Sequence, residues 1–217
     1  MTTQPRPSPA AQPARRGPGR PRNTDSEETK LRILDAAIES FGAGGFASTS
    51  SQTIGAVAGV TPATMYHHFV NKRQLYVAAF QHSVDIAWRG YGEAATATGT
   101  SFLDELVAVV DAAVRVMQRR PAMTMLAIRA AIDLGRGDLD RTIPDGVMAA
   151  MAARAVARGE LAPDDVVYVR PVVEMMLWGV SVIGRGDTNM QERCAEAIDL
   201  ILHGRLVQRP TRRRRTG

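Results

Sequence analysis

Apolar residues recur along most of this chain at intervals of three and four, the spacing of one face of a helix. Leu31, Leu34, Ile38 and Phe41 form the first such stripe, and Gly44-Gly45 is placed to end it as a left-handed cap. Two very short helices follow. Ser50 or Ser51 can cap the first, which runs to about Ala58 and is expected to bury Ile54 and Val57. After a turn at Gly59-Val60, Thr61-Pro62 opens the second. The threonine oxygen can accept from a free N–H of the first turn, and proline at the first helical position sacrifices no bond. This helix ends near Phe69, and Asn71 caps the next, with Gln74 in the capping-box position. Further helices are predicted near 72–95, 101–119, 121–134, 144–158, 163–184 and 187–206. No stretch sustains a two-residue alternation, so the class is all-α. A long helix followed by two short ones across a glycine-containing turn is the layout of a three-helix helix-turn-helix DNA-binding domain, here followed by a C-terminal helical domain.

Composition changes this picture at the two ends. Residues 1–24 are rich in proline, carry five arginines and no acid, and are expected to be disordered when free. Residues 209–217 carry five more arginines, again with no acid. The remainder holds 17 basic against 22 acidic residues, so basic character sits in two tails of the kind that seek a polyanion. Solvated ends are the plainer reading of the C-terminal one. No apolar leader opens the chain, and the sequence shows no continuous apolar run of about 18 residues, so a cytoplasmic protein without a membrane span is expected. The single cysteine, Cys194, excludes an internal disulfide framework and a thiolate zinc site, and is expected to act as a small buried hydrophobe.

On the second short helix Met65 and Phe69 lie four apart and must face the core. At 100° per residue the opposite face carries Ala63 and His67 with Thr64 beside them, and Tyr66 and His68 flank it. Ala63, Thr64 and His67 are then placed for base edges in a major groove, where the alanine and the threonine methyl suit thymine methyls. Tyr66, His68 and Lys72 are placed for phosphates, with Thr49 and Thr61 as further hydroxyl donors. Packing or plain surface roles remain the alternative for the tyrosine and histidines. His67 and His68 point about 100° apart and have no third ligand nearby, so no metal is expected there.

Residues 29–75 resemble the TetR family of bacterial regulators. The resemblance rests on Leu31, Ile33-Leu34, Ala36-Ala37, Phe41, Gly45-Phe46, Ser48-Thr49, Ile54, Ala58-Gly59-Val60-Thr61, Thr64-Met65-Tyr66, His68-Phe69, Asn71-Lys72 and Leu75. It implies that Thr49, Thr64, Tyr66 and Lys72 approach operator DNA, mostly its backbone. Gly55 departs from the alanine usual at its position and is expected to loosen the first short helix by up to about 1 kcal/mol.

Residues 25–80 hold only four basic residues (Lys30, Arg32, Lys72, Arg73) against five acidic ones, which is poor for phosphate neutralisation. The arm can correct this. Arg15, Arg16, Arg20 and Arg22 lie in a Gly-Arg-Pro-Arg context resembling an AT-hook, narrow enough for an A·T minor groove. The expected organisation is an arm (1–24), a reader (25–71), a connecting helix (72–95), a helical ligand-binding and dimerisation domain (96–208) and a basic tail (209–217).

Beyond about residue 101 there is no phosphate-binding glycine loop, nucleophile elbow or His-Glu-x-x-His, and neither enzyme nor cofactor chemistry is expected. The segment is methionine-rich, and the resemblance implies an inducer cavity among its helices. Trp88, Tyr91, Met117, Met125, Met151, Met175 and Trp178 are its candidate lining; core filling is the alternative for any single methionine. Segment 163–184 is apolar almost all round and 187–206 along a narrower stripe. The family resemblance implies that these two helices form a homodimer interface, with Val172, Met176, Val180, Ile198 and Ile201 as candidates; a large monomer core is the alternative. The expected function is a repressor that binds a palindromic double-stranded DNA operator and is released by a small, largely apolar inducer. An architectural A·T-preferring DNA binder, a carrier of apolar molecules and a TetR-like activator stay open.

Overall fold

A computed structural model describes residues 22–98, 100–134, 145–183 and 187–202. Helices begin where the sequence supplies caps. In chain order they are α1 (Arg22–Ser48), α2 (Ser51–Ala58), α3 (Pro62–His68), α4 (Lys72–Thr98), α5 (Phe102–Arg119), α6 (Pro121–Asp133), α7 (Asp145–Ala157), α8 (Val169–Ile183) and α9 (Thr188–Leu202), with a 3₁₀ segment at Pro163–Tyr168 before α8. No strand occurs among the described residues. Ser50, Thr61 and Ser101 each accept a hydrogen bond from the backbone N–H three residues on, at 3.0, 3.2 and 3.1 Å. Asn71 Oδ1 accepts from the Gln74 N–H at 2.8 Å, while Gln74 reaches back to the Val70 N–H at 2.6 Å, one residue before its usual capping-box partner.

Four expectations shift. α1 opens at Arg22, so the last three residues assigned to the arm are already helical. Gly44-Gly45 kinks α1 without ending it: Gly45 takes φ 78°, ψ 174°, and a further turn runs to Ser48. Leu31 and Val57, expected inside, are 46% and 60% exposed, because the buried faces centre on Ile33, Ala37 and Phe41 in α1 and on Ile54 and Ala58 in α2. The 163–184 segment divides into a 3₁₀ turn and a helix, with Pro171 in the first turn of α8, where its missing N–H costs no helical bond. Because the two pieces abut, Pro163–Ile183 is long and apolar enough to cross a membrane by length and composition. Val169, Val173 and Val180 are buried in the chain's own core and Arg170 is ion-paired on its side, while most of the segment is exposed.

α1 and α4 carry the core of the N-terminal part, where Phe41, Phe46 and Tyr76 meet at ring separations of 4.9 to 6.2 Å. α6 lies along α1 with backbone against backbone. A Cβ on Gly42 would stand 2.3 Å from the Ala122 carbonyl oxygen, so no other residue fits there without parting the helices. Polar contacts fasten the same seam. Arg120 reaches Asp35 at 3.3 Å and Arg129 donates to the Ala43 carbonyl at 3.3 Å, while between α4 and α6 the Tyr76 hydroxyl donates to Asp133 at 2.8 Å. Burial, then the Asp133 carboxylate, hold that hydroxyl protonated far above its ordinary range.

A second fastening joins α5 to α7. Glu105, fully buried, receives Arg154 at 3.1 and 2.7 Å and Arg158 at 3.0 Å. Arg158 also binds Glu160, which accepts the Phe102 N–H at the start of α5. Removing the carboxylate empties this dry site and takes from Arg154 and Arg158 their shared buried partner. Glu105→Ala is expected to lower unfolding stability by about 3 kcal/mol, whereas Glu27→Ala on exposed α1 changes it by less than about 0.5 kcal/mol; urea denaturation of both variants measures the difference.

Candidate functional site

The α2–α3 pair is held by few contacts, each traceable to a residue. Ile54, Ala58, Met65 and Phe69 are buried against α1 and α4. Gly59, at φ 65°, turns the chain and caps α2. Arg32 on α1 reaches the Ala58 carbonyl at 3.5 Å, and the Tyr66 hydroxyl bonds Ser51 at 2.7 Å across the pair. With Met65 and Phe69 inward, Ala63, Tyr66 and His67 are exposed on α3, and Thr64 and His68 are half-exposed beside them. The structure therefore groups Ala63, Thr64, Tyr66, His67 and His68 on one short helix. Thr61 stands at its start, with its oxygen engaged in capping and 2.9 Å from the Thr64 hydroxyl. Lys72 opens α4, its ammonium 4.5 Å above the Phe46 ring.

Thr49 does not join this group. It is 5% exposed, and its hydroxyl donates to the Gly45 carbonyl at 2.7 Å and lies 3.1 Å from that of Ser40. It ties off the kinked end of α1, and its expected phosphate contact gives way to that structural role. Arg15, Arg16 and Arg20 lie outside the described residues, as does the 209–217 tail; for Arg22 the backbone alone is described, as the first residue of α1. His67 and His68 meet edge to face at 5.5 Å, and no group of three metal-ligating side chains occurs among the described residues.

In the helical domain a cavity of about 700 Å³ opens between α4, α5, α6 and α8. α4 supplies Phe80, Ser83, Val84, Trp88 and Tyr91, and α5 supplies Met117. α6 adds Met123, Thr124 and Ile128, and α8 adds Glu174, Met175 and Trp178. Five of the seven candidate residues thus share one cavity. Met125 and Met151 do not line it: Met125 is half-buried elsewhere on α6, and Met151 is a fully buried core residue of α7. Burial pushes the Tyr91 hydroxyl up to about 12, so it stays neutral. Glu174 accepts from Arg170 at 2.8 Å, and Arg170 also pairs with Asp145.

The outer face of α8 and α9 differs from the expected one. Val180 is fully buried within the chain, and Met176 and Ile198 pack on the same core, so these are intrachain contacts first. Val172 is half-buried and Ile201 exposed. The apolar side chains left open include Tyr168, Met175, Val182, Ile183 and Ile201, each more than half exposed. Val169, Val173 and Val180 fix which side of α8 turns inward, which the all-round apolar sequence does not reveal.

Residues 33–79 match the family described as bacterial regulatory proteins, tetR family. These residues form a domain of that family. The HTH-type transcriptional regulator UidR of Escherichia coli K12 is 34% identical over 84 residues, 39% of this chain. The match spans only 42% of that regulator's length. The HTH-type transcriptional repressor KstR of Mycolicibacterium smegmatis is 29% identical over 153 residues, covering 69% of this chain and 74% of the repressor. Among solved structures, a TetR-like transcriptional regulator from Rhodococcus sp. RHA1 aligns with TM-score 0.62 at 18% identity over 83% of this chain and 97% of its own. The TetR family regulator PfmR from Thermus thermophilus aligns with TM-score 0.59 at 23% identity, over 82% of this chain and 100% of its own. These two likenesses extend the tetR-family fold beyond the matched domain and across both halves of the described chain.

The structure also adds residues that sequence reasoning passed over. Ser51 holds Tyr66, Arg32 braces the α2–α3 turn, and Glu174 places a carboxylate in the cavity wall. The signal for Glu174 was present in the sequence as an Arg170–Glu174 pair one turn apart in an apolar helix. Gly55 is the sharpest revision. A Cβ there would stand 2.8 Å from the Val60 carbonyl oxygen, so glycine allows the turn to close against α2 and is no mere loosening. Gly55→Ala is expected to lower stability by about 1 kcal/mol through overpacking, where helix propensity alone predicts a gain; the change in thermal midpoint gives the sign.

Proposed function

We propose that this chain is a transcriptional repressor that acts in the cytoplasm, binds a palindromic operator as a homodimer and releases it when a small, largely apolar ligand enters the helical domain. The observation that carries the reading is the exposed face of α3, where Ala63, Thr64, Tyr66 and His67 stand on a capped helix whose other side is locked into the core. A helix presented this way fits a major groove, and a two-fold dimer sets two of them roughly 34–36 Å apart. Thr64 and the α3 alanine address base edges, and Tyr66, His68 and Lys72 address phosphates. The relatives, a transcriptional regulator and a transcriptional repressor by name, agree with this reading.

The cavity supports the inducible part. Its walls are α4, which continues directly from the α2–α3 pair, and α6, which abuts α1. A ligand that fits one spacing of these helices better than another shifts the population toward that spacing, and only this differential affinity can release DNA. The exposed apolar side chains of α8 and α9 support dimerisation through that face, with Val182, Ile183 and Ile201 as the contact residues in place of Val180. Sedimentation at micromolar concentration is expected to give a dimer, and Val182→Glu with Ile183→Glu a folded monomer. A monomeric wild-type protein removes the two-half-site arrangement.

One observation favours a second reading. Basic charge is concentrated in the two tails and is scarce in residues 25–80, the pattern of an architectural A·T binder. Footprinting separates the two, since a repressor protects a palindrome and an architectural protein protects A·T-rich DNA diffusely. Under the repressor reading the arm assists α3 from the minor groove. Deleting residues 1–21, which leaves α1 whole, is expected to weaken operator binding and to reduce the slope of log affinity against log salt by about 2 to 4. Fluorescence anisotropy across a salt series measures both; an unchanged slope rules out a DNA-contacting arm.

A further inference from the structure

The charge of the cavity wall goes beyond its apolar character. Glu174 is the only acidic or basic side chain lining the cavity among the described residues; the other polar lining groups are hydroxyls, including a Tyr91 kept neutral by burial, and the two tryptophan indoles. Glu174 shares this lining with Phe80, Trp88, Tyr91 and Trp178, aromatic side chains whose π systems attract cations. Arg170 offsets its charge only in part. That guanidinium stands outside the lining and is shared between Glu174 and Asp145. An anion entering the cavity meets a carboxylate and an aromatic wall. A cation meets attraction from both.

We infer that Glu174 selects organic cations, so that the ligand of this cavity is an amine or quaternary-type cation carried on an aromatic or apolar body. The inference rests on the cavity being the ligand site of the proposed repressor and adds the charge of what enters. A cavity of about 700 Å³ is of the size that holds a drug-sized molecule. The aromatic walls then serve two purposes, burying the apolar body and attracting the charged head. Glu174 is 29% exposed, so the cation is expected to bind where the cavity meets solvent, its body pointing inward toward Trp88 and Tyr91.

The test uses the full-length protein and probes of one shape and opposite charge, tetraphenylphosphonium and tetraphenylborate, with the neutral dye N-phenylnaphthylamine as a third. Both tryptophans of the chain, Trp88 and Trp178, line the cavity, so quenching of their fluorescence reports occupancy at the site itself. The phosphonium is expected to bind at least about tenfold more tightly than the borate. Glu174→Gln, which keeps an oxygen acceptor for Arg170, is expected to bring the two within about threefold while leaving affinity for the neutral dye unchanged. Equal or tighter borate binding by the wild-type protein, or a preference that survives in Glu174→Gln, overturns the assignment of Glu174 while dye binding keeps the cavity as a ligand site. If none of the three probes quenches either tryptophan, the cavity takes no such ligand, and the inducible reading falls together with the inference.

Discussion

The seam between α1 and α6 has no spare room, and the two halves of the molecule depend on it. At Gly42 and Ala122 the helix backbones touch, and Arg120 and Arg129 fasten the contact to Asp35 and the Ala43 carbonyl. Close-packed interiors transmit displacement because they lack voids to absorb it. α1 in turn carries α2 through Ile54 and Ala58, and Arg32 holds the turn before α3. The position of the recognition helix is therefore referred to α6 as well as to α4, into which its own chain continues.

The same α6 presents Met123, Thr124 and Ile128 to the cavity on its other side. One helix thus meets the reader along one face and lines the ligand space with another. In such an arrangement a ligand needs no long relay. Under the proposed function, a ligand that prefers one spacing of α4, α6 and α8 over another would act on the seam directly. The flexible side chains Met117, Met123 and Met175 allow the cavity to adapt to the body of a ligand, while Glu174 is held by Arg170 and gives a fixed point of charge.

Charge is organised differently in the two halves. In the helical domain it is buried and paired: Glu105 collects Arg154 and Arg158 and so docks α7 on α5. A pair of this kind contributes little net stability over an apolar substitute, yet it penalises any docking that leaves the carboxylate alone. In the reader the few basic residues are partly committed to the fold, Arg32 to the α2–α3 turn and Lys72 to the Phe46 ring. That leaves the arginines of the chain ends as the main reserve of positive charge for a polyanion.

The sequence by itself determined the class, the order and near-bounds of the helices, the turn at Gly59 and the inward Met65 and Phe69, because caps, glycine turns and helical spacing are local physics. It also carried the family resemblance of the N-terminal domain, since the landmarks of residues 29–75 are contiguous. It placed five of the seven suggested cavity residues, helped by the rarity of tryptophan and methionine. Only the tertiary structure decided which side of an apolar helix turns inward. α8 has apolar residues all round, so Val180 read as a partner contact until packing against the core buried it. Thr49 likewise read as a free hydroxyl until the kink at Gly45 brought a carbonyl to it, and Gly55 as a weak helix residue until the Val60 carbonyl closed over it. In each case the deciding partner sits on another turn or another helix, where periodicity along the chain carries no information.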